Sequence, residues 1–196
     1  MIDFEKIKAF YRIGKSLSFG DVQVLLQKAQ RKTLEQGECL IEEGGTKKEI
    51  YFIAKGLVRA FKLNSSGEEV TTSLWWENQV IGNYDIIFFS QSSQFYFEAL
   101  EKTEILFIDY EVLQHIISRN PKLETHRKFV LHEILRQSIK RIESFVLLSP
   151  EERYIEFMKA NPKLIHRVPD KHIANILGIT PVSLSRIRKR ISMKKK

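Results

Sequence analysis

Residues 173–190 read IANILGITPVSLSRIRKR. An apolar helical run meets a glycine, then Thr-Pro, then a run in which arginines crowd around aliphatic side chains. With Asp170 as the N-cap of a first helix, Ile173, Ala174 and Leu177 share one face. Ala174 is small where two helices must cross closely, Gly178 falls where the turn needs a left-handed residue, and Ile179 packs beneath the turn. Thr180 caps a second helix with Pro181 at its first position. Leu184, Ile187 and Ile191 then face inward at spacings of three and four, and Ser183, Ser185, Arg186, Arg188, Lys189 and Arg190 form the opposite face. The pattern is that of a helix-turn-helix. The other reading is an ordinary helical hairpin with a solvated basic face.

The charge distribution favours the first. The chain of 196 residues carries a net charge of +8, yet residues 1–146 hold 20 basic and 20 acidic residues. Residues 147–196 hold 12 and 4, so the C-terminal quarter carries the whole excess. A compact basic segment points to a polyanion. From Lys159 to Lys196 there is no Phe, Tyr or Trp to stack on unpaired bases, which favours double-stranded DNA over single strands or RNA.

Working outward, the helix-turn-helix gives each side chain a role. Residues at the start of the second helix approach base edges, while the Thr180 and Ser183 hydroxyls and the helix N-terminus bond phosphates. Pro181 and Val182 offer no side-chain hydrogen bond, although Val182 suits a thymine methyl. Direct readout therefore narrows to Ser183, Ser185 and Arg186, with Arg186 suited to bidentate contact with guanine. Arg188, Lys189 and Arg190 lie further along and suit phosphate.

Upstream the pattern changes. Residues 3–11 and 18–30 read as short helices, the second capped by Ser18 or Asp21. From Thr33 to Tyr110 short β-rich runs alternate with turns: GECLIEEGG, then EIYFIAKGLVRAFKL broken at Lys55-Gly56, then a Ser65-Ser66-Gly67 turn into EVTTSLWW, then FYFEALEKTEILFID. This argues for an antiparallel barrel or jelly roll, and an α+β chain overall. From Asn120 to Leu148 there is no glycine, and Pro121 sits at a first-turn position after an Asn120 cap. Leu131, Leu135, Ser138, Ile142 and Phe145 make an apolar stripe on this long helix, which packs on the barrel, on a second copy, or on both. Ser149-Pro150-Glu151-Glu152 stops it and caps a helix over 151–160, which Asn161-Pro162 ends.

This sequence of parts resembles the Crp/Fnr family of bacterial transcription regulators. The resemblance covers nearly the whole chain and rests on GECLIEEGGTKKEIYFIAKGLVRAF, on VIGNYDII where the phosphate-binding cassette begins, and on PDKHIANILGITPVSLSRIRK. It implies a β-roll sensor over 1–118, a dimerisation helix over 119–148 and a DNA-binding domain over 149–196. It also implies a homodimer presenting two recognition helices to half-sites one helical turn apart, with RNA polymerase as a further partner. An N-terminus without a signal-peptide h-region and a single cysteine, Cys39, point to the cytoplasm.

Two departures stand out. The family's cyclic-nucleotide binders pair Gly-Glu with Arg-Ser or Arg-Thr; here Gly82 is followed by Asn83, and no Arg or Lys occurs from Asp85 to Glu101. A buried cyclic phosphate would lack its counter-charge, which argues against cAMP or cGMP as a cofactor. Gly82, Asn83, Ser92, Ser93 and Gln94 suit a neutral or weakly charged ligand, or line a pocket that has lost its function. The second departure is the end of the chain, SMKKK just after Ile191, which leaves no room for the β-hairpin wing usual in the family. The lysines would then supply phosphate attraction in its place.

Other functions fare worse. None of His115, His126, His132, His166 and His172 lies in the strand-rich region, so a metal site inside the barrel is not expected, and Cys39 reads as a strand residue. No phosphate loop or nucleophile elbow is present, and an enzyme is not expected. No stretch approaches the roughly 20 apolar residues of a membrane span. The competing reading is a sensor module acting through protein contacts. The dense aromatics Trp75-Trp76, Tyr84, Phe88-Phe89 and Phe95-Tyr96-Phe97 fill a core or line a pocket for an apolar effector.

Overall fold

The computed structural model describes residues 19–194. The helix expected over 3–11, the Ser18 cap and the last two lysines lie outside the described residues. Helix α1 (Phe19–Lys28) buries Val22 and Leu25 against Ile117 and Leu123. Asp21 does not cap it: the residue lies inside the first turn, where its Oδ1 accepts a 2.6 Å hydrogen bond from Asn120 Nδ2. The helix also stops before Gln30, because Gln30–Leu34 (β1) pair with the last strand, Thr103–Asp109 (β8), in a ladder opposing Gln30 to Phe107.

Between these come β2 (Cys39–Ile41), β3 (Glu49–Lys55), β4 (Leu57–Leu63), β5 (Glu69–Trp76), β6 (Val80–Gly82) and β7 (Tyr96–Ala99). They form two four-stranded sheets, ordered β1-β8-β3-β6 and β2-β7-β4-β5. This is the antiparallel roll that the alternation of short strands and turns implies. Tyr51, Ile53, Val58, Ala60, Ile81 and Phe97 project into a core that Trp75 and Phe95 help to close. Gly56 turns β3 into β4 at φ +110°, and a Cβ there would stand 2.3 Å from Thr103 Oγ1, so only glycine fits.

Three helical pieces went unread in the sequence. Helix α2 (Tyr84–Phe89) follows β6 and is too short to show periodicity. Helix α3 (Tyr110–Ser118) is rich in β-formers, but Asp109 caps it by accepting the Val112 N–H at 3.0 Å. A 3-10 turn occupies Leu164–His166. The long helix α4 runs Pro121–Leu147, with Asn120 Oδ1 accepting the Lys122 N–H at 3.0 Å as its cap. Ser149 and Glu152 form a reciprocal capping box at the start of α5 (Pro150–Ala160). Helices α6 (Asp170–Leu177) and α7 (Pro181–Lys194) complete the chain.

The chain divides into two compact units. Among the described residues, one comprises 19–62 and 74–134; the other comprises the β4–β5 hairpin tip, 63–73, together with 135–194. The second has its own small core of Tyr154, Leu164, Val168, Ile173, Ala174, Leu177, Leu184 and Ile187. No helix among the described residues is long and apolar enough to cross a membrane.

Candidate nucleic-acid interface

The two C-terminal helices are set by local chemistry. Gly178 adopts φ +65°, ψ +39°; its N–H donates to Asn175 O at 3.0 Å and the Ile179 N–H donates to Ala174 O at 3.0 Å. This pair of bonds is the Schellman arrangement, which consumes carbonyls that the end of α6 leaves open. Thr180 Oγ1 then accepts the Ser183 N–H at 3.1 Å and lies 3.0 Å from Ser183 Oγ, capping α7. Ala174 and Leu184 are fully buried where the helices cross, as their spacing requires.

Asp170 is the first residue of α6 and not its cap. Both its carboxylate oxygens accept from Arg188 Nη1, at 2.7 and 2.8 Å, while Arg188 Nε donates to Tyr154 Oη at 3.1 Å. Arg188 thus faces inward and clamps the start of α6 to α5 and α7, contrary to the phosphate role its basic neighbours suggested. Arg190 is exposed but donates to Glu151 Oε2 at 2.9 Å, which offsets part of its charge. Arg186 and Lys189 are exposed and make no ion pair among the described residues. Val182 and Ser185 are exposed beside them, and Ser183 is half-buried with its hydroxyl turned to the cap. Pro181 is exposed at the first position.

One residue that pattern reading missed organises this unit. Arg153 Nη1 donates to Leu148 O at 2.8 Å and its Nε to Leu177 O at 3.1 Å, so one cation stands at the C-terminal ends of both α4 and α6. Its guanidinium lies 4.7 Å from the centre of the Phe145 ring. Phe145 in turn lies against the α6–α7 turn: a Cβ on Gly178 would meet its Cε1 at 2.6 Å. No period in the sequence marks Arg153; only the pairing of helix ends in space does.

On α4, Leu131, Leu135, Ser138, Ile142 and Phe145 are exposed, at alternating intervals of four and three. That interval is the seam of a two-helix coil. Exposed Ile139 and Val146 widen the stripe.

In the cassette, Gly82 ends β6 and Asn83 is 1% exposed. Asn83 Nδ2 donates to Gly45 O at 3.3 Å, and the Ser93 N–H donates to the same carbonyl at 2.9 Å. Ser93 Oγ donates to Phe95 O at 2.8 Å. The Gln94 N–H donates to Asp85 Oδ2 at 3.0 Å, its Oε1 accepts from Lys62 Nζ at 3.3 Å, and Ser92 is exposed. The structure brings these residues together, but much of their hydrogen-bonding capacity is spent on the chain itself. No group of three or more metal-ligating side chains is found among the described residues.

A β-roll with a cassette between β6 and β7, a long helix with an apolar seam and a helix-turn-helix together make the fold of a DNA-binding regulator. Comparison with known proteins agrees. Residues 31–120 match the cyclic nucleotide-binding domain family. The chain is similar to the global nitrogen regulator of Nostoc sp., at 25% identity over 187 residues covering 84% of this chain and 82% of that protein. It is also similar to the anaerobic regulatory protein of Haemophilus influenzae, at 24% identity, covering 81% of this chain and 65% of that protein. Among solved structures, FixK2 from Bradyrhizobium japonicum superposes with a TM-score of 0.73 at 17% identity, covering 85% of this chain and 86% of that one. These likenesses support a DNA-binding transcription regulator with the Crp/Fnr fold, and the two curated relatives are named as regulators.

Proposed function

We propose that α7 reads duplex DNA as one of a pair of recognition helices on a dimer, and that this protein does so without cAMP or cGMP. The observation that carries the reading is the sorting of the basic residues on α7. Arg188 is spent on Asp170 and Tyr154, whereas Arg186 and Lys189 stand exposed on the outer face beside Val182 and Ser185. Arg186 makes the bidentate guanine contact, Val182 touches a thymine methyl, and Ser185 bonds a neighbouring base. Thr180, Ser183 and the helix N-terminus with Pro181 hold a phosphate, and Lys189 and Arg190 hold phosphates further along. The α4 seam of Leu131, Leu135, Ser138, Ile142 and Phe145 brings two copies together.

Independence from cyclic nucleotides is supported by the cassette, in which Asn83 and Ser93 converge on Gly45 O and no basic residue lies between Asp85 and Glu101. Gly82, Asn83, Ser92, Ser93 and Gln94 then serve as a structural brace. Residues 1–118 act as sensor, 119–148 as dimer helix and 149–196 as reader. Such a regulator works where chromosome and RNA polymerase are, so the cytoplasm is its compartment and the polymerase its further partner.

The test is fluorescence anisotropy on a selected site and on random duplex. Arg186→Ala loses discrimination at particular base pairs, while Lys189→Ala weakens both duplexes alike and lowers the salt slope by about one. Equal loss on both duplexes for Arg186→Ala contradicts the assignment.

A further inference from the structure

Strand β3 alternates its side chains between the two faces of its sheet. Tyr51 and Ile53 point into the roll, whereas Ile50 and Phe52 point out. On that outer face lies a cavity of about 190 Å³, bordered by α1, α2, α3 and the first half of α4 and partly open to solvent. Its walls include Ile50, Phe52, Phe88 and Val130, and they are almost wholly apolar. Protein interiors hold few voids larger than a water molecule, and an apolar cavity of roughly 150 Å³ accepts benzene. The space is also separate from the cassette interior, where Asn83 and Ser93 turn toward Gly45.

Three of the side chains that line it, Gln114, His126 and Arg127, carry polar groups. Arg127 Nη2 donates to Glu124 Oε1 at 2.7 Å and its Nη1 to Gln114 Oε1 at 3.3 Å. Three nitrogens on these lining side chains are buried without a hydrogen-bond partner: Gln114 Nε2, His126 Nδ1 and Arg127 Nε. Buried polar atoms are nearly always paired, so three orphans among the residues around one cavity ask for a partner. The amide and guanidinium nitrogens can only donate, and a neutral imidazole nitrogen donates in one of its two tautomers. The complement to such a set is an acceptor oxygen, and a carboxylate makes the strongest bonds with these donors.

We propose that this cavity is an effector site for a small apolar acid, its body against Ile50, Phe52 and Phe88 and its carboxylate against Gln114, His126 and Arg127. Tyr84 and Phe88 come from the cassette helix α2, their rings stacked at 5.7 Å, and Val130 and Leu131 come from α4. Leu131 also belongs to the dimer seam, so the occupant bears on both the cassette helix and the helix that pairs the subunits. It regulates by binding one arrangement of these helices better than another.

The test is isothermal titration and thermal denaturation of the full chain with octanoate and 4-ethylbenzoate, against 1-octanol and 4-ethylbenzyl alcohol. At least one acid gives saturable heat at one site per chain and raises Tm, and its matched alcohol binds at least tenfold more weakly. Val130→Phe, or Ile87→Phe on the opposite wall should the first not fold, fills the space and abolishes the heat. Gln114→Leu brings acid and alcohol to similar affinity. The proposal is overturned if neither acid binds at millimolar concentration, if acid and alcohol bind the unaltered chain equally, or if the filled variants bind as before. Absence of heat combined with a dimer that falls to monomer in Val130→Phe also overturns it, by assigning the space to a second copy of the chain.

Discussion

Nδ1 of His172 lies 2.7 Å from Oγ1 of Thr71, and both residues are buried. The Thr71 N–H donates to Asn175 Oδ1 at 3.1 Å, and Arg141 Nη1 reaches the carbonyl of Thr72. The tip of the β4–β5 hairpin is therefore held to α6, the first helix of the helix-turn-helix, although its two strands belong to the roll. Replacing either member of the buried bond costs about 1–3 kcal/mol. Thr71→Val and His172→Phe, each measured by urea denaturation, lower stability in that range. The double variant loses less than the sum of the two, because they share one interaction. Full additivity would show that the contact is not energetically coupled.

Gly178→Ala meets two obstacles at once. Its φ of +65° disfavours a side chain, and the new Cβ would approach Phe145 Cε1 to 2.6 Å. The expected loss is about 1–3 kcal/mol, together with weaker DNA binding as α7 shifts. Phe145→Leu added to Gly178→Ala restores part of the stability, since it removes the steric component and leaves the dihedral one. Calorimetric Tm values of the two variants and the unaltered chain check this.

Arg188→Ala separates structural from DNA-contacting cations. Its partner Asp170 is 53% exposed and solvent screens the pair, so the loss is about 1 kcal/mol. Arg186→Ala leaves Tm unchanged and acts only on DNA affinity. A fall in Tm for Arg186→Ala equal to that for Arg188→Ala would reverse the two roles.

His126 gives a pH dependence of definite sign. Burial lowers its pKa below the usual histidine value of about 6.5, so the folded chain favours the neutral ring. Around pH 6 the unfolded chain binds more protons, and stability rises with pH through that window and is lost as pH falls below about 6.5. Glu124 is held down by its bond to Arg127, and Arg127 is held up by the same bond, so neither titrates there. Urea midpoints from pH 5 to 8 flatten in this window in His126→Gln. An unchanged slope would remove His126 as the cause.

How much of this could be read from residues alone depends on whether a local rule governs the element. Ala174, Gly178, Thr180 and Leu184 follow helix geometry at fixed spacings, and all four stand where the spacing put them. The Asn120 and Ser149 caps were legible for the same reason. Asp21 and Asp170 look like caps but bond to residues far away in sequence, Asn120 and Arg188, which no local pattern encodes. Helix α2 is too short to show a period, and α3 is held by one capping carboxylate against β-prone composition. Arg153 joins Leu148 to Leu177 across two helix ends, and the outer-face cavity draws on four helices and a sheet; both exist only once the chain is folded.

The central claim is that two copies of this chain, joined along α4, present two α7 helices to duplex DNA. Selection of binding sites from a random duplex pool tests it most directly, run in parallel with Ile142→Glu, which places a charge in the exposed seam. The expected result is an inverted repeat with half-sites about 10 base pairs apart, centre to centre, enriched by the unaltered chain and lost in the variant, which sediments as a monomer. No enrichment, or a single unrepeated site bound equally well by Ile142→Glu, would contradict it.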